Sequence, residues 1–589
     1  MKRKGDKKLF VHISETWAEE VPGNIYRYCE GKGFSILKMS YLTGVNDGIK
    51  MFQQEPGEHK PLPDELVQML QSPEYTKISL NANRERVLLS YYLNQEHEFL
   101  DPSQWVCINS LQRALGAETT RQEEVITVYS ILCLYYTVEP LDINDRKNYI
   151  VDQIINDRGF LVDKVLLEKC LGFYRENELR LKREFLKQSC NKVDISDNQG
   201  IKVYVEAYGF KMESFSKAAI IKLLKNPDVP ENIKKMLKFK TEYNMASVKK
   251  LESFNQCICS DNRVRGAFLY YGSHTGRWSG VGVQPQNLPQ ASTTIDEDRK
   301  QILQANSLEE LLVYKDNINE LLSGVMRSLI IAPEGKKLAV FDYSMIESRV
   351  LSWIADIKWK NEAFLNDKDI YVENAKMMYK CSDEEALKRR KAGKICELAL
   401  GYGGGVNALS QFCGDALSDE DKQYMVKAWR EANKEVPELW KQMEEAFRYC
   451  LRNKTEELKL TKENGAEVLT IVSGPGDDTK VILPSGRVLM YWKMDYQGEL
   501  VYMDKERVVR TYGGVLVENV VQAIARDILA ESLRKIRDKY SPVLHIHDEI
   551  VVEISDEKEY SNIGLLMEST ELSGLKLRVK GSVNSYYSK

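Results

Sequence analysis

The sequence predicts a multidomain α/β protein. Three observations carry that expectation. The chain has 589 residues, 43% of them hydrophobic, enough for about three or four cores at roughly 150 residues each. Apolar runs of strand length, at 8–13, 34–39 and 338–341, alternate with helical periodicity. A Lys-rich helical stretch then gives way to a Gly- and Gln-rich loop, which marks a change of structural unit.

Residues 1–150 mix short strand-like runs with amphipathic helices, as a compact α/β unit does. From 151 to 254 the pattern is mainly helical, with breaks at Asn226-Pro227 and Val229-Pro230. Within 201–250 there are 11 Lys against 5 Asp or Glu, a local positive excess able to neutralise backbone phosphates, although a solvated helical face has the same composition. The loop YGSHTGRWSGVGVQPQNLP is too poor in periodic apolar residues for a helix or ordinary strand. Next, the 338–341 strand delivers Asp342 to an amphipathic helix with Ile346, Val350, Leu351 and Ile354 on one stripe.

A single helix is predicted over 383–400, stopped by the glycines of GYGGG. LPSGR at 483–487 marks a turn between strands, and VLHIHDEIVVEI reads as a hairpin with a polar tip. There is no internal repeat.

Composition narrows the function classes. No apolar run reaches the ~20 residues that span a bilayer, and the basic MKRKGDKKLF segment leads into no signal-like apolar core, so a cytoplasmic protein is expected. Eleven cysteines without a CxxC pair, and only six histidines, point to reduced thiols rather than a zinc site. The net charge of -4 argues against a uniformly basic nucleic-acid binder but hides local fields.

Asp342 follows a strand, while Asp548 and Glu549 sit at a hairpin tip. If the two segments share a sheet, Asp342 and Asp548 can hold two magnesium ions ~4 Å apart, the arrangement that clamps attacking and leaving oxygens in phosphoryl transfer. Arg390, Lys394, Leu398 and Tyr402 recur every fourth residue and so line one helix face. Two cations suit a triphosphate, and the apolar pair offers a surface for a base pair.

These segments resemble the signature motifs of family A, polymerase I-like DNA polymerases, especially the bacteriophage and prophage branch: DYSMIESRV, RKAGKICELALGYGGG and HDE, with TGRWSGVGVQPQNLP and YGGVLVENVVQAIARD as two further matches in order. The resemblance implies a right hand of thumb (151–265), palm (266–357 and 501–589) and fingers (358–500), preceded by an RNase H-like, exonuclease-type domain (1–150). It implies template-directed addition of dNTPs to a primer 3′-OH. Asp342 and Asp548 would hold two Mg2+ ions, or Mn2+ in their place, with the Tyr343 carbonyl contributing and Glu549 assisting. Arg390 and Lys394 would contact the triphosphate, and Glu347 would be the steric gate that excludes a ribose 2′-OH. Arg277, Gln286, Asn287, Gln522 and His547 resemble residues that contact the primer terminus or the minor groove. Leu398 stands where many members carry Phe or Tyr, and Glu518 where cellular relatives commonly have Asn.

The N-terminal unit resembles a DnaQ-like 3′ to 5′ exonuclease in worn form. Where the family writes Asp-x-Glu the chain has Ile13-Ser14-Glu15, Arg84 replaces an aromatic beside Glu85, and Thr137 is the best match for a missing Asp. Loss of proofreading is expected, with an Arg84–Glu85 pair filling the centre. The partners implied are primer-template DNA and dNTPs, in a monomer within a bacterial or phage-infected cell. Two other readings share these features: a single-subunit RNA polymerase, against which Glu347 and HDE speak, and a non-catalytic DNA-binding scaffold, against which the retained Asp342, Asp548, Arg390 and Lys394 speak.

Overall fold

The computed structural model describes residues 7–19, 23–94, 97–117, 119, 127–476, 478–504 and 507–589. Its N-terminal unit is built on a five-stranded sheet in the order Lys50–Gln53, Ser35–Leu42, Lys7–Trp17, Tyr75–Ser79, Trp105–Cys107. The first three strands are antiparallel and the last two run parallel to Lys7–Trp17, a mixed sheet within the α/β unit expected from the sequence. Phe10, Val11 and Ile13 are fully buried on it.

The helix Ile143–Arg158 leaves this unit. Asp142 caps it by accepting from the amides of Asn144 and Asp145, satisfying donors the first turn leaves open. Gly159 closes it at φ +61, where a Cβ would meet the Val264 carbonyl oxygen at 2.4 Å. The residue-150 boundary drawn from the sequence thus falls inside a continuous helix. The 25-residue helix Lys164–Gln188, capped by Asp163, follows. Its far half joins Asn198–Glu206, Lys217–Lys225 and Glu231–Tyr243 in a helical lobe with its own core of Leu181, Phe185, Ile201, Ile233, Met236 and Leu237.

The centre of the molecule is a four-stranded antiparallel sheet in the order Ser541–Ile546, Glu549–Ile554, Lys337–Tyr343, Val579–Asn584. The hairpin and strand expected from the sequence are both present. The helix Ile346–Ile354 follows its strand with Ile346, Val350, Leu351 and Ile354 buried as the stripe predicted. A six-stranded antiparallel sheet spans Glu457–Thr511, with the LPSGR turn between two of its strands. The boundary at 500 therefore cuts a sheet.

One element differs from its expectation. The 383–400 stretch is two helices, Asp383–Lys388 and Arg390–Leu400, parted at Arg389, whose amide is shared between the Glu385 and Ala386 carbonyls. The second helix presses onto Ile370–Tyr379 so closely that a Cβ on Gly393 would lie 2.0 Å from the Tyr371 carbonyl oxygen. A straight continuation from residue 383 is not the path the chain takes to reach that contact.

The N-terminal unit is joined to the rest by polar contacts, one buried and one at the surface. Arg86, fully buried, makes a two-pronged contact with Asp157 at 2.7 and 2.8 Å, and the Tyr26 hydroxyl donates to the same carboxylate at 2.7 Å. Glu30 accepts from the Ser260 amide and hydroxyl at 2.8 and 3.0 Å. Arg86→Ala leaves Asp157 without its main partner and is expected to lower stability by about 3–5 kcal/mol. The earliest transition in a thermal unfolding scan should move down accordingly.

Candidate active site

The central sheet brings the two acidic segments side by side. Lys337–Tyr343 pairs antiparallel with Glu549–Ile554 in a register that sets Asp342 opposite Glu549. The Tyr343 amide donates to the Asp548 carbonyl at 3.0 Å, fixing the hairpin tip beside the strand end. His547, at φ +51, turns that tip. The Tyr343 phenol is buried and anchors the strand from below through Ser532 Oγ (2.6 Å) and the Met567 carbonyl (2.8 Å).

Asp342 and Glu549 meet around a cation supplied by the chain. Lys589 Nζ contacts Asp342 Oδ2 and lies 2.8 Å from Glu549 Oε2. Glu549 Oε1 is buried without a partner. Burial pushes the Glu549 carboxyl up to about 7, with the nearby Tyr587 hydroxyl and Arg327 guanidinium opposing. Asp548 is also raised, first by burial and further by Glu347, with His547 and Arg277 opposing. Among the described residues no three His, Cys, Asp or Glu side chains form a closed cage. The two carboxylates that converge on a positive charge, one with a free buried oxygen, are hard donors of the kind that suits a divalent cation such as Mg2+.

Arg277 leaves the Gly-rich loop to pair with Glu347 at 2.5 Å. Tyr402 lies against them: burial, then Glu347 and Glu518, hold its phenol well above its ordinary range. Glu518, raised by burial and by Glu347, accepts from Gln522 Nε2 at 3.0 Å. Arg277, Glu347, Tyr402, Glu518, Gln522 and Asp548 thus line one charged neighbourhood. Gln286 belongs to the same loop, and both its amide atoms are buried without partners. Asn287 bonds only within the loop, to Gln284 at 3.2 Å.

The helix face of Arg390, Lys394 and Leu398 is exposed, while Gly393, Cys396 and Leu400 are buried on the other side. Arg390 pairs with Asp369 at 2.7 Å and lies over the Tyr371 ring, as does Lys394. Neither cation touches the carboxylates of the central sheet. Trp440 Nε1 donates to the Gly401 carbonyl at 3.0 Å and the Tyr512 hydroxyl to the Tyr402 carbonyl at 3.1 Å, holding the end of this helix.

In the N-terminal unit Glu15 is exposed and paired with Lys38 at 2.6 Å, Glu85 is buried facing His12 at 3.7 Å, and Thr137 bonds to carbonyls of its own helix. The Arg84–Glu85 pair expected from the sequence is not formed. Neighbouring residues of a helix point in different directions, and Arg84 instead donates to the Ile13 carbonyl at 3.2 Å while Glu85 accepts from the Asn81 amide.

Several site residues escaped the sequence reading. Arg487 donates to the Thr275 carbonyl and Arg526 to the Gly276 carbonyl, at 3.1 and 3.0 Å, gripping the backbone just before Arg277. Both are buried and neutralised by Asp527 and Asp145. The signal was present in VVQAIARDILA, where one charged pair interrupts an apolar helix. Lys589 carried no such signal.

Residues 202–457 match the model of DNA polymerase family A, a span that holds Asp342, Glu347 and the Arg390–Leu400 helix but not Asp548. A DNA polymerase of Bacillus phage SP02 is 29% identical over 99% of this chain and 100% of its own length. DNA polymerase I of Helicobacter pylori is 24% identical over 50% of this chain and 26% of its own length. The fold resembles that of the POL domain of Pol1 from M. smegmatis in complex with DNA primer-template and dNTP, with a TM-score of 0.64 at 13% identity, covering 99% of this chain and 96% of that one. The strand-borne Asp342, the Arg277–Glu347 pair and the basic helix face sit within the span that matches the DNA polymerase family A model.

Proposed function

We propose that this DNA-directed DNA polymerase adds dNTPs to a primer 3′-OH with two divalent metal ions, magnesium by preference, held by Asp342 and Asp548 with the Tyr343 carbonyl and Glu549. The observation that carries the reading is the strand register setting Asp342 beside the 548–549 tip, with the Arg277–Glu347 pair alongside. When bound, such ions supply Lewis-acid stabilisation of the attacking and leaving oxygens. The chain's own groups do the rest. Arg390 and Lys394 grip the triphosphate, Arg390 exchanging Asp369 for phosphate oxygens. Leu398 and Tyr402 cover the base pair, and closure of their helix completes the site around a correctly shaped pair. Glu347, held by Arg277, crowds the ribose 2′ position. The 3′-oxygen attacks the α-phosphate and pyrophosphate leaves.

In this reading 151–265 is the thumb, 266–357 and 501–589 the palm, and 358–500 the fingers, with Gln286, Asn287, Gln522 and His547 facing primer-template DNA. The unpartnered Gln286 amide supports that assignment, since buried amide groups ordinarily find a partner. An RNA polymerase or a non-catalytic scaffold is not favoured, because the family match and the phage relative are DNA polymerases. Among the described residues no helix is long and apolar enough to cross a membrane.

The N-terminal unit, in this proposal, does not proofread. Hydrolysis by two metals needs several converging carboxylates, and here Glu15 is tied to Lys38 while Glu85 is buried against His12. Its role is to brace the 151–265 unit through Arg86–Asp157 and Glu30–Ser260.

Asp342→Ala and Asp548→Ala are each expected to slow nucleotide addition by at least about a hundred- to a thousandfold, with primer-template affinity near wild type, since phosphate contacts elsewhere hold the DNA. Single-turnover extension and an anisotropy titration check the two halves. Glu347→Ala should reduce discrimination against ribonucleotides by about ten- to a hundredfold, the range one steric contact supplies, read from competing dNTP and NTP incorporation. With magnesium, wild-type protein should digest mismatched or single-stranded primer ends no faster than an Asp342→Ala, Glu15→Ala double variant; digestion that Glu15→Ala removes would show an active exonuclease.

A further inference from the structure

The segment 585–589 is fixed to the palm residue by residue. The Ala332 amide donates to the Ser585 carbonyl at 2.9 Å, Tyr586 bridges to Ile331, and the Tyr587 amide donates to the Ile330 carbonyl at 2.8 Å. The Tyr587 ring is fully buried, and Asn584 donates to Ser588 Oγ at 2.8 Å. Arg327 completes the anchorage. Its Nη1 donates to the Tyr587 hydroxyl at 3.0 Å and the Lys589 carbonyl at 2.6 Å, and its other nitrogens hold the Leu288 and Pro289 carbonyls, next to Gln286 and Asn287. Lys589 is therefore delivered by an ordered backbone, and its ammonium ends on Asp342 and Glu549.

A surface lysine that pairs with an acid by chance has neither feature, and such pairs contribute little. Here one ammonium bridges two carboxylates from different strands, one of them buried, whose mutual repulsion it offsets. We propose that Lys589 is an active-site positioning residue: a tethered internal counter-ion that holds the Asp342–Glu549 pair and competes with a divalent ion for the same oxygens. Tethering gives the ammonium a high effective concentration at those oxygens, so it raises the metal level at which the site fills. Lys589 then vacates the pair as the ion binds, its long flexible side chain allowing withdrawal without moving the anchored backbone. This rests on the metal reading of Asp342 above and adds a residue and a threshold to it.

Mn2+ alone, followed by the loss of its free-ion electron paramagnetic resonance signal, is the probe. Removing the competitor in Lys589→Ala should tighten Mn2+ binding by about tenfold, equivalent to about 1.4 kcal/mol. Lys589→Arg, which keeps the charge, should stay close to wild type, and Asp342→Asn should weaken binding in either background. The Mg2+ midpoint for primer extension should fall in Lys589→Ala by a similar factor. Equal or weaker Mn2+ binding by Lys589→Ala, with Asp342→Asn still weakening it, overturns the role of Lys589 alone. Binding unaffected by Asp342→Asn overturns the metal reading and the proposal with it.

Discussion

The antiparallel pairing of Lys337–Tyr343 with Glu549–Ile554 is the constraint on which the rest of the site depends. Side chains alternate faces along a strand, so a slip of one residue would turn Asp342 away from Glu549 and place its apolar neighbours Phe341 or Tyr343 there instead. What prevents the slip is burial. Leu338, Ala339, Val340 and Phe341 on one strand, and Ile550, Val551 and Val552 on the other, are packed on both sides of the sheet. The acidic positions follow the apolar core, and the core allows one register.

A second layer of order is electrostatic and lies behind the Arg277–Glu347 pair. Arg487 and Arg526 are buried cations, and they are tolerated only because Asp527, Asp145 and several carbonyls surround them. They draw three separate parts of the chain together: the LPSGR turn, the long helix Gly513–Arg537 and the Gly-rich loop. The loop backbone held at Thr275 and Gly276 leads directly to Arg277, and Arg277 leads to Glu347. The Arg277–Glu347 pair is thus set by a network rooted in the six-stranded sheet and in the helix Ile143–Arg158, which carries Asp145. The N-terminal unit braces that same helix through Arg86 and Asp157.

Much of this was legible in the sequence because the chemistry sits where local pattern changes. Asp342 interrupts an apolar strand, HDE interrupts an apolar hairpin, and the Arg390 stripe departs from an apolar face. Such breaks cost stability unless the polar group finds a partner, which makes them stand out as candidate functional positions. The pinch at Arg389 was not legible, because it answers to a contact between Gly393 and the Tyr371 carbonyl that only the folded chain defines. Arg84 failed for a related reason: proximity in sequence suggested Glu85, but helix geometry points the two apart. Lys589 was invisible, being an ordinary lysine whose meaning comes from Tyr587 and Arg327 fixing its backbone.

A chain that works as proposed copies a template. Primer extension on a template of defined sequence, with each of the four dNTPs withheld in turn, tests it most directly. Synthesis should halt one position before the first template base complementary to the withheld nucleotide, in all four reactions. Extension that ignores which nucleotide is missing, or none with all four present, would contradict it.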